Sequence, residues 1–398
     1  MKKKKVLFIM PSMFIGGAER SLLGLLDTFD YEEYEVSLFL YRHEGEFLKY
    51  IPEQVHILPA IKEYTTFDVP IVTLLRSSLW KFGVARICGK IKLRIQKLRQ
   101  DYGVWASMQN ISYSLQKLLP LIPGSYDVAI YFLGIPDVLL NKVEAKVKIA
   151  WNHTDYTILG PDKEYDRQIY KKLDYIVSVS EQCTEQFVSV YPEFQEKAIT
   201  IQNIISEKLL KRQAAEEIND MKRYGEEKIL LSVGRFSDAK NFDNIPDICR
   251  KIRAQGENVK WYLIGYGGDE DFIRQRIQEE GMQDYVIILG KKENPYPYIK
   301  ACDIYVQPSR YEGKCVAVLE AQILNKPVII TNYATSGSQL QNGVDGEIVP
   351  MDNEGCAAGI RRVLENGTFQ KHLIDNTQKK DYTNAREIEK LYHVLEVV

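Results

Sequence analysis

Cysteine and histidine are scarce in this chain and widely spread. Its six cysteines (Cys88, Cys183, Cys249, Cys302, Cys315 and Cys356) form no Cys-x-x-Cys pair, and five histidines are available to join them. That argues against a disulfide framework and against structural zinc, and makes a reducing compartment the default. No apolar run approaches the ~20 residues of a membrane-crossing helix. The run Val6–Met10 after Lys2 to Lys5 superficially resembles a signal peptide, but it stops at Pro11 and reads better as a buried first strand. A cytoplasmic protein is expected, free or on the inner face of a membrane. An excess of one charge is also missing: 52 Lys+Arg against 54 Asp+Glu give a net charge of -2, so bulk charge offers nucleic acid no purchase. With 45% hydrophobic and 27% charged residues, disordered, collagen-like and low-complexity classes drop out. A length of 398 residues suggests two or three domains.

Short Val/Ile-rich runs recur at Val6–Met10, Val36–Tyr41, Asp127–Phe132, Val147–Trp151, Tyr175–Val179, Ile229–Val233, Lys260–Ile264, Val286–Leu289, Ile304–Gln307 and Pro327–Thr331, each followed by an amphipathic segment. Near-continuous apolar strands alternating with helices mark α/β folds whose parallel sheets are covered on both faces, with ligand loops at the carboxyl ends of the strands. The alternation breaks at about 203–226, where the charged segment Glu207 to Glu227 holds no strand. Two doubly wound domains are expected, 1–205 and 206–378. A terminal helix within 379–398, with Leu391, Val394 and Leu395 on one side, is expected to pack back across them.

From Pro70 to Gln100 the chain carries Arg76, Lys81, Arg86, Lys90, Lys92, Arg94, Lys97 and Arg99 and no acid, interleaved with Leu79, Trp80, Phe82, Val84, Ile87, Ile91 and Ile95. Residues 69–126 hold nine Lys or Arg and one acid, Asp101, so near-neutrality is a cancellation. Two readings stand side by side. A basic amphipathic helix binds anionic lipid headgroups, which would make Arg76, Lys81, Arg86, Lys90 and Arg94 contacts to a membrane or an acceptor; or the stretch is a solvated face that happens to be basic.

Three loops could carry chemistry. Gly16 and Gly17 separate the first strand from a leucine-rich helix; such a pair serves a ligand's close approach or a plain tight turn. Arg235 and Lys240, in Val233-Gly234-Arg235-Phe236-Ser237-Asp238-Ala239-Lys240, follow a strand and could clamp a diphosphate or be ordinary surface cations. Glu312 and Glu320, eight residues apart, bracket a loop-to-helix transition at which the backbone N–H groups of Lys314, Cys315 and Val316 suit a phosphate. Two other patterns are decoys: Asp269-Glu270-Asp271 begins a helix, where acids favour the dipole, and Gly265-x-Gly267-Gly268 lacks the third glycine of a dinucleotide fingerprint.

Taken together, Glu312-x7-Glu320 with Lys326-Pro327-Val328, the Gly234-Arg235…Lys240 loop and Gly16-Gly17-Ala18-Glu19 resemble the retaining glycosyltransferases of family 4, over nearly the whole chain and in family order. The resemblance implies the GT-B fold, two Rossmann-like domains across a cleft. It implies that Arg235 and Lys240 hold the diphosphate of a nucleotide-sugar donor, Glu320 its ribose and Glu312 the transferred sugar, with Lys314, Cys315 and Val316 as backbone donors. Gly16 and Gly17 would approach the donor from the other domain, His153 would contact the donor sugar, and Lys291, Lys292 and Asn294 would lie near the base. The implied activity is transfer of a hexose from a UDP-sugar to a hydroxyl of a glycan or lipid-linked saccharide in bacterial surface-polysaccharide assembly, with no metal and no cofactor besides the donor. Lys314-Cys315, Asn325 and Gln339 depart from the family's usual residues and leave the donor sugar open. An epimerase or phosphorylase of the same fold, or a silent nucleotide-sugar binder, are the rivals.

Overall fold

The computed structural model describes residues 3–97, 103–154, 156–157, 159–312 and 315–396. Their contacts divide into two units, Met1–Ser206 with Asn384–Val398, and Glu207–Thr383. Among the described residues each unit contains one sheet, and every strand pairing in both is parallel.

The first unit has strands β1 (Lys4–Met10), β2 (Tyr34–Leu40), β3 (His56–Ile57), β4 (Ser125–Tyr131), β5 (Glu144–Asn152), β6 (Tyr175–Ser178) and β7 (Ala198–Thr200), in the spatial order β3-β2-β1-β4-β5-β6-β7. Its main helices are α1 (Gly17–Thr28), α2 (Ile71–Leu75), α3 (Trp80–Lys97), α4 (Val104–Leu115), α5 (Asp137–Lys142), α6 (Lys163–Tyr170) and α7 (Glu181–Val190). The core under the last helices is aromatic: Tyr156, Tyr170, Phe187 and Tyr191 meet with ring centroids 5.2–6.2 Å apart. Two carboxylates are buried beside it. Asp137 accepts hydrogen bonds from Ser112 at 2.6 Å and Tyr165 at 2.5 Å, and Asp166 accepts one from Tyr191 at 2.7 Å. Burial pushes Asp137 up to about 6 and Asp166 up to about 7, against an ordinary value of 3.8.

The second unit has strands β8 (Lys228–Val233), β9 (Val259–Ile264), β10 (Val286–Gly290), β11 (Ile304–Gln307), β12 (Val328–Thr331) and β13 (Glu347–Val349), in the order β10-β9-β8-β11-β12-β13. Its helices include α8 (Glu207–Gln213), α9 (Ile245–Ala254), α10 (Glu270–Glu279), α11 (Tyr296–Ala301) and α12 (Val316–Ile323). Here the core is mainly aliphatic, with Ile245, Ile248, Ile252, Leu263, Val306, Ile329 and Ile360 around Trp261. The chain then returns to the first unit. Its last helix, Ile388–Glu396, buries Leu391, Val394 and Leu395, and Tyr392 stacks on Tyr34 at 5.1 Å.

All ten runs singled out in the sequence overlap strands, while β3, β7 and β13, each of three residues or fewer, carry no apolar run long enough to announce them. The glycines of the dinucleotide-like turn have a packing reason. Gly265 has φ +154°, and a Cβ on it would sit 1.8 Å from the Gly234 carbonyl oxygen; one on Gly267 would sit 2.1 Å from that of Phe236. This turn is therefore the bed on which the Arg235 loop lies.

Gly265→Ala should lower the unfolding free energy by more than about 2 kcal/mol, since it adds strain and a backbone clash at once; urea denaturation measures it, and an unchanged midpoint would contradict the packing. For the buried acids the sign is fixed by the raised values: the folded state holds their protons more tightly than the unfolded chain does. Their stabilising contribution is complete below the ordinary 3.8 and is lost as pH rises through about 6 and 7. Asp166→Asn, which cannot ionise, should flatten the fall in stability of the wild type between about pH 4 and pH 7.

Candidate active site

In a doubly wound sheet the first crossovers run to opposite faces, and the loops after the two strands at that switch point part to leave a crevice at their carboxyl ends. In the second unit those strands are β8 and β11. The loop after β8 carries Arg235 and Lys240, and the loop after β11 carries Ser309, Arg310 and Glu312. Several contacts sew the loops together. Arg310 pairs with Asp243 through its two terminal guanidinium nitrogens at 3.0 and 2.7 Å, its backbone N–H donates to the Ala239 carbonyl at 2.9 Å, and Asn241, left-handed at φ 58°, donates its amide to the Pro308 carbonyl at 2.9 Å.

Across this seam the Lys240 ammonium lies 2.5 Å from Glu312 Oε1, which also accepts the Ser309 hydroxyl at 2.7 Å. The pair is mostly shielded, with side-chain exposures of 18% and 11%, so its charges are screened less than surface ones. The Lys240 stem crosses Gly234, where a Cβ would be 3.2 Å from Lys240 Cε. Arg235 beside it is exposed and makes no ion pair among the described residues. One cation is thus committed to a carboxylate and one is free.

At the start of α12 the structure alters the expected donor set. The Cys315 N–H is occupied: it donates to Gln339 Oε1 at 2.7 Å, while Gln339 Nε2 returns a bond to the Cys315 carbonyl at 3.3 Å. Val316 remains 54% exposed, and Lys314 and Gly313 lie outside the described residues. Burial pushes the Cys315 thiol up to about 11, which keeps it neutral despite Lys240 at 4.0 Å. Glu320 faces inward, 5% exposed, and accepts the Tyr296 hydroxyl at 2.7 Å.

Of the three residues expected near a base, only exposed Lys291 is free of structural duty, lying over the exposed Tyr266 ring at 5.3 Å. Lys292 is tied to Asp220 at 2.5 Å, and Asn294 donates to the Gln213 carbonyl at 2.8 Å and to Glu216 at 3.0 Å. These two fasten the segment after α8, a role that their spacing in sequence could not reveal.

In the first unit Gly17 is exposed with nothing within 4 Å of a Cβ, whereas Gly16 closes on its own helix, with a Cβ position 2.2 Å from Glu19 Oε2. His153, just past β5, is half-buried beside the Phe132 ring at 4.8 Å and hydrogen-bonded to the Phe132 backbone. Burial lowers its imidazole to about 4, so it is neutral at pH 7. Its Nε2 has no partner among the described residues, and neither do Trp105 Nε1 and Trp151 Nε1; all three residues line one small cavity. Two indole donors and one ring acceptor can serve a water or a hydroxyl. Trp105 and Trp151 carry no motif, and only their shared cavity marks them.

Among the expected membrane contacts Arg76, Lys81, Lys90 and Arg94 are exposed. Arg86 is not: it is buried and donates to the Thr66 carbonyl at 2.9 Å and to that of Val69. It holds α3 to the preceding loop because the helix turns that position inward. Arg99 and Asp101 lie outside the described residues.

Residues 213–380 match the family described as "Glycosyl transferases group 1". Over 383 residues the chain is 22% identical to the N-acetylgalactosamine-N,N'-diacetylbacillosaminyl-diphospho-undecaprenol 4-alpha-N-acetylgalactosaminyltransferase of Campylobacter jejuni, covering 96% of this chain and 94% of that protein. It is 26% identical over 215 residues to a glycosyltransferase of Methanocaldococcus jannaschii, where the match spans 52% of this chain and only 55% of that one. Among solved structures it resembles Anabaena HepE in complex with UDP and glucose, with a TM-score of 0.57 at 15% identity over 99% of this chain and 100% of that one. TarM is matched with a TM-score of 0.60 at 14% identity, over 99% of each chain. The chain therefore has the GT-B fold, and its residues 213–380, which hold the Lys240–Glu312 pair, are similar to the group 1 glycosyl transferases.

Proposed function

We propose that the chain is a retaining glycosyltransferase that moves a hexose from a UDP-sugar to a hydroxyl of a glycan or lipid-linked saccharide in bacterial surface-polysaccharide assembly. The observation that carries this reading is the Lys240–Glu312 pair at the β8/β11 switch point, beside free Arg235 and inside the family-matched segment. The Anabaena protein bound to UDP and glucose supports the donor, and the Campylobacter enzyme named for a diphospho-undecaprenol-linked substrate supports the acceptor class.

In this reading Arg235 and Lys240 neutralise the diphosphate as it leaves, where charge develops, and fixed cations need no reorganisation at that moment. Glu312, oriented by Lys240 and Ser309, accepts hydroxyls of the transferred sugar. Glu320 accepts those of the ribose, and neutral His153 offers a bare Nε2 to a sugar hydroxyl. Glu312 is already paired and is not cast as a covalent nucleophile, so retention rests on bringing the acceptor to the face that the leaving group departs from. Neither a metal nor a cofactor beyond the donor is assigned. The protein is assigned to the cytoplasm, in contact with the inner membrane face where its acceptor would lie.

Arg235→Ala and Lys240→Met should each lower transfer by about 10²–10³-fold, the ~3–4 kcal/mol of one charge-stabilising group. Product formation with UDP-sugars is the measurement, and near-wild-type turnover in a folded Lys240→Met protein would sink the diphosphate assignment. A UDP-sugar at about 100 times its Kd should stabilise the fold by ~2.7 kcal/mol. Absence of any thermal shift across a panel of nucleotide sugars would remove the donor reading altogether.

A further inference from the structure

Helix α3 carries two apolar faces, and only one is used by the fold. Toward the protein it presents Phe82, Gly83, Arg86 and Gly89, all buried. Gly89 lies so close to α4 that a Cβ there would meet the Asn110 carbonyl oxygen at 2.9 Å. On the opposite side, Trp80, Val84, Ile87, Ile91 and Ile95 follow one another at helical spacing, and all five are exposed, Ile91 and Ile95 by 55% each. At about 100° per residue the exposed cations fall between the two faces, Lys81 and Lys92 on one flank of the apolar stripe and Lys90 and Arg94 on the other. Not one acid occurs from Pro70 to Gln100.

A continuous apolar stripe left in water costs free energy that packing against this unit cannot recover, so it marks a surface for something else. From Trp80 to Ile91 the stripe also has the four-three-four spacing of a coiled-coil seam. A second copy of α3 would, however, bring its own unrelieved cations against these, with no acid on the helix to answer them. An anionic bilayer satisfies both features together: the apolar stripe enters the acyl boundary, an indole sits at the interface, and the flanking cations reach the headgroups. We propose that α3 lies in the plane of an anionic membrane surface, with Trp80, Val84, Ile87, Ile91 and Ile95 immersed and Lys81, Lys90, Lys92 and Arg94 on the lipid phosphates. Arg86, which holds the helix to the body, takes no part. This deepens the membrane-contact part of the proposed function and rests on the rest of that reading only for its biological purpose.

The test is flotation of the full chain with vesicles of phosphatidylcholine alone or with about a quarter phosphatidylglycerol, at low salt. The wild type should float with the anionic vesicles, at least about tenfold more than with neutral ones, and be partly released near 0.5 M salt. Ile91→Glu combined with Ile95→Glu should lose at least about tenfold of that binding. Both positions are exposed, so the circular dichroism, the melting midpoint and the thermal shift with a UDP-sugar should stay those of the wild type. The proposal is overturned if the wild type ignores anionic vesicles, or if the double variant floats as well as the wild type. It is overturned equally if sedimentation shows a wild-type dimer that the double variant abolishes while neither protein floats, because the stripe is then a self-pairing seam. Failure of the wild type to bind any nucleotide sugar would strike the glycosyl-transfer reading and leave the flotation result standing.

Discussion

The Lys240–Glu312 ion pair is the contact on which the arrangement of the second unit's site depends. It joins residues 72 positions apart, across the point where the sheet order reverses, and it is mostly shielded from water. A shielded pair of this kind is costly to form, because both ions give up hydration, and costly to break, because removing one partner strands the other. The surrounding structure meets that cost with hydrogen bonds. Ser309 supports Glu312, and Arg310, Asp243, Asn241 and Pro308 fix the two loops from beneath, so the carboxylate and the ammonium are placed by backbone geometry before any ligand arrives.

Beneath that pair lies a second constraint. The loop after β8 can occupy its position only because Gly265 and Gly267 admit its backbone at distances no side chain would tolerate. Beside it, the start of α12 is fastened by Gln339, which grips both the N–H and the carbonyl of Cys315. A buried amide left without that partner would cost on the order of 1–3 kcal/mol. The glutamine therefore secures the helix end that follows Glu312, while Arg235 on the facing loop stays exposed.

The first unit is organised differently. Its core is rich in tyrosine, and its buried polar atoms are grouped: Asp137 and Asp166 are satisfied by hydroxyls and amides, whereas Trp105, Trp151 and His153, whose ring nitrogens Nε1, Nε1 and Nε2 have no partner among the described residues, line one cavity. Buried polar groups are normally paired, so three without a partner among the described residues, one on α4 and two at the end of β5, separate a place for a ligand or water from mere packing. The neutral state of His153 follows from the same burial.

The sequence by itself determined the fold class, because two-sided burial writes a parallel strand as an unbroken apolar run, and it located the loops that bear Arg235, Lys240 and Glu312 and the helix that bears Glu320, because these follow such runs. It also determined that residues 70–100 carry cations without acids. It could not show β3, β7 or β13, since two- and three-residue edge strands have no period to detect. Nor could it tell which polar residues are already spoken for. Arg86, Lys292, Asn294 and the Cys315 N–H look as available as their neighbours in the chain, and only tertiary contacts with Thr66, Asp220, Gln213 and Gln339 commit them. The physical reason is the same in each case: periodicity and residue type record what a segment must bury, whereas hydrogen-bond partners distant in sequence are chosen when the chain closes on itself.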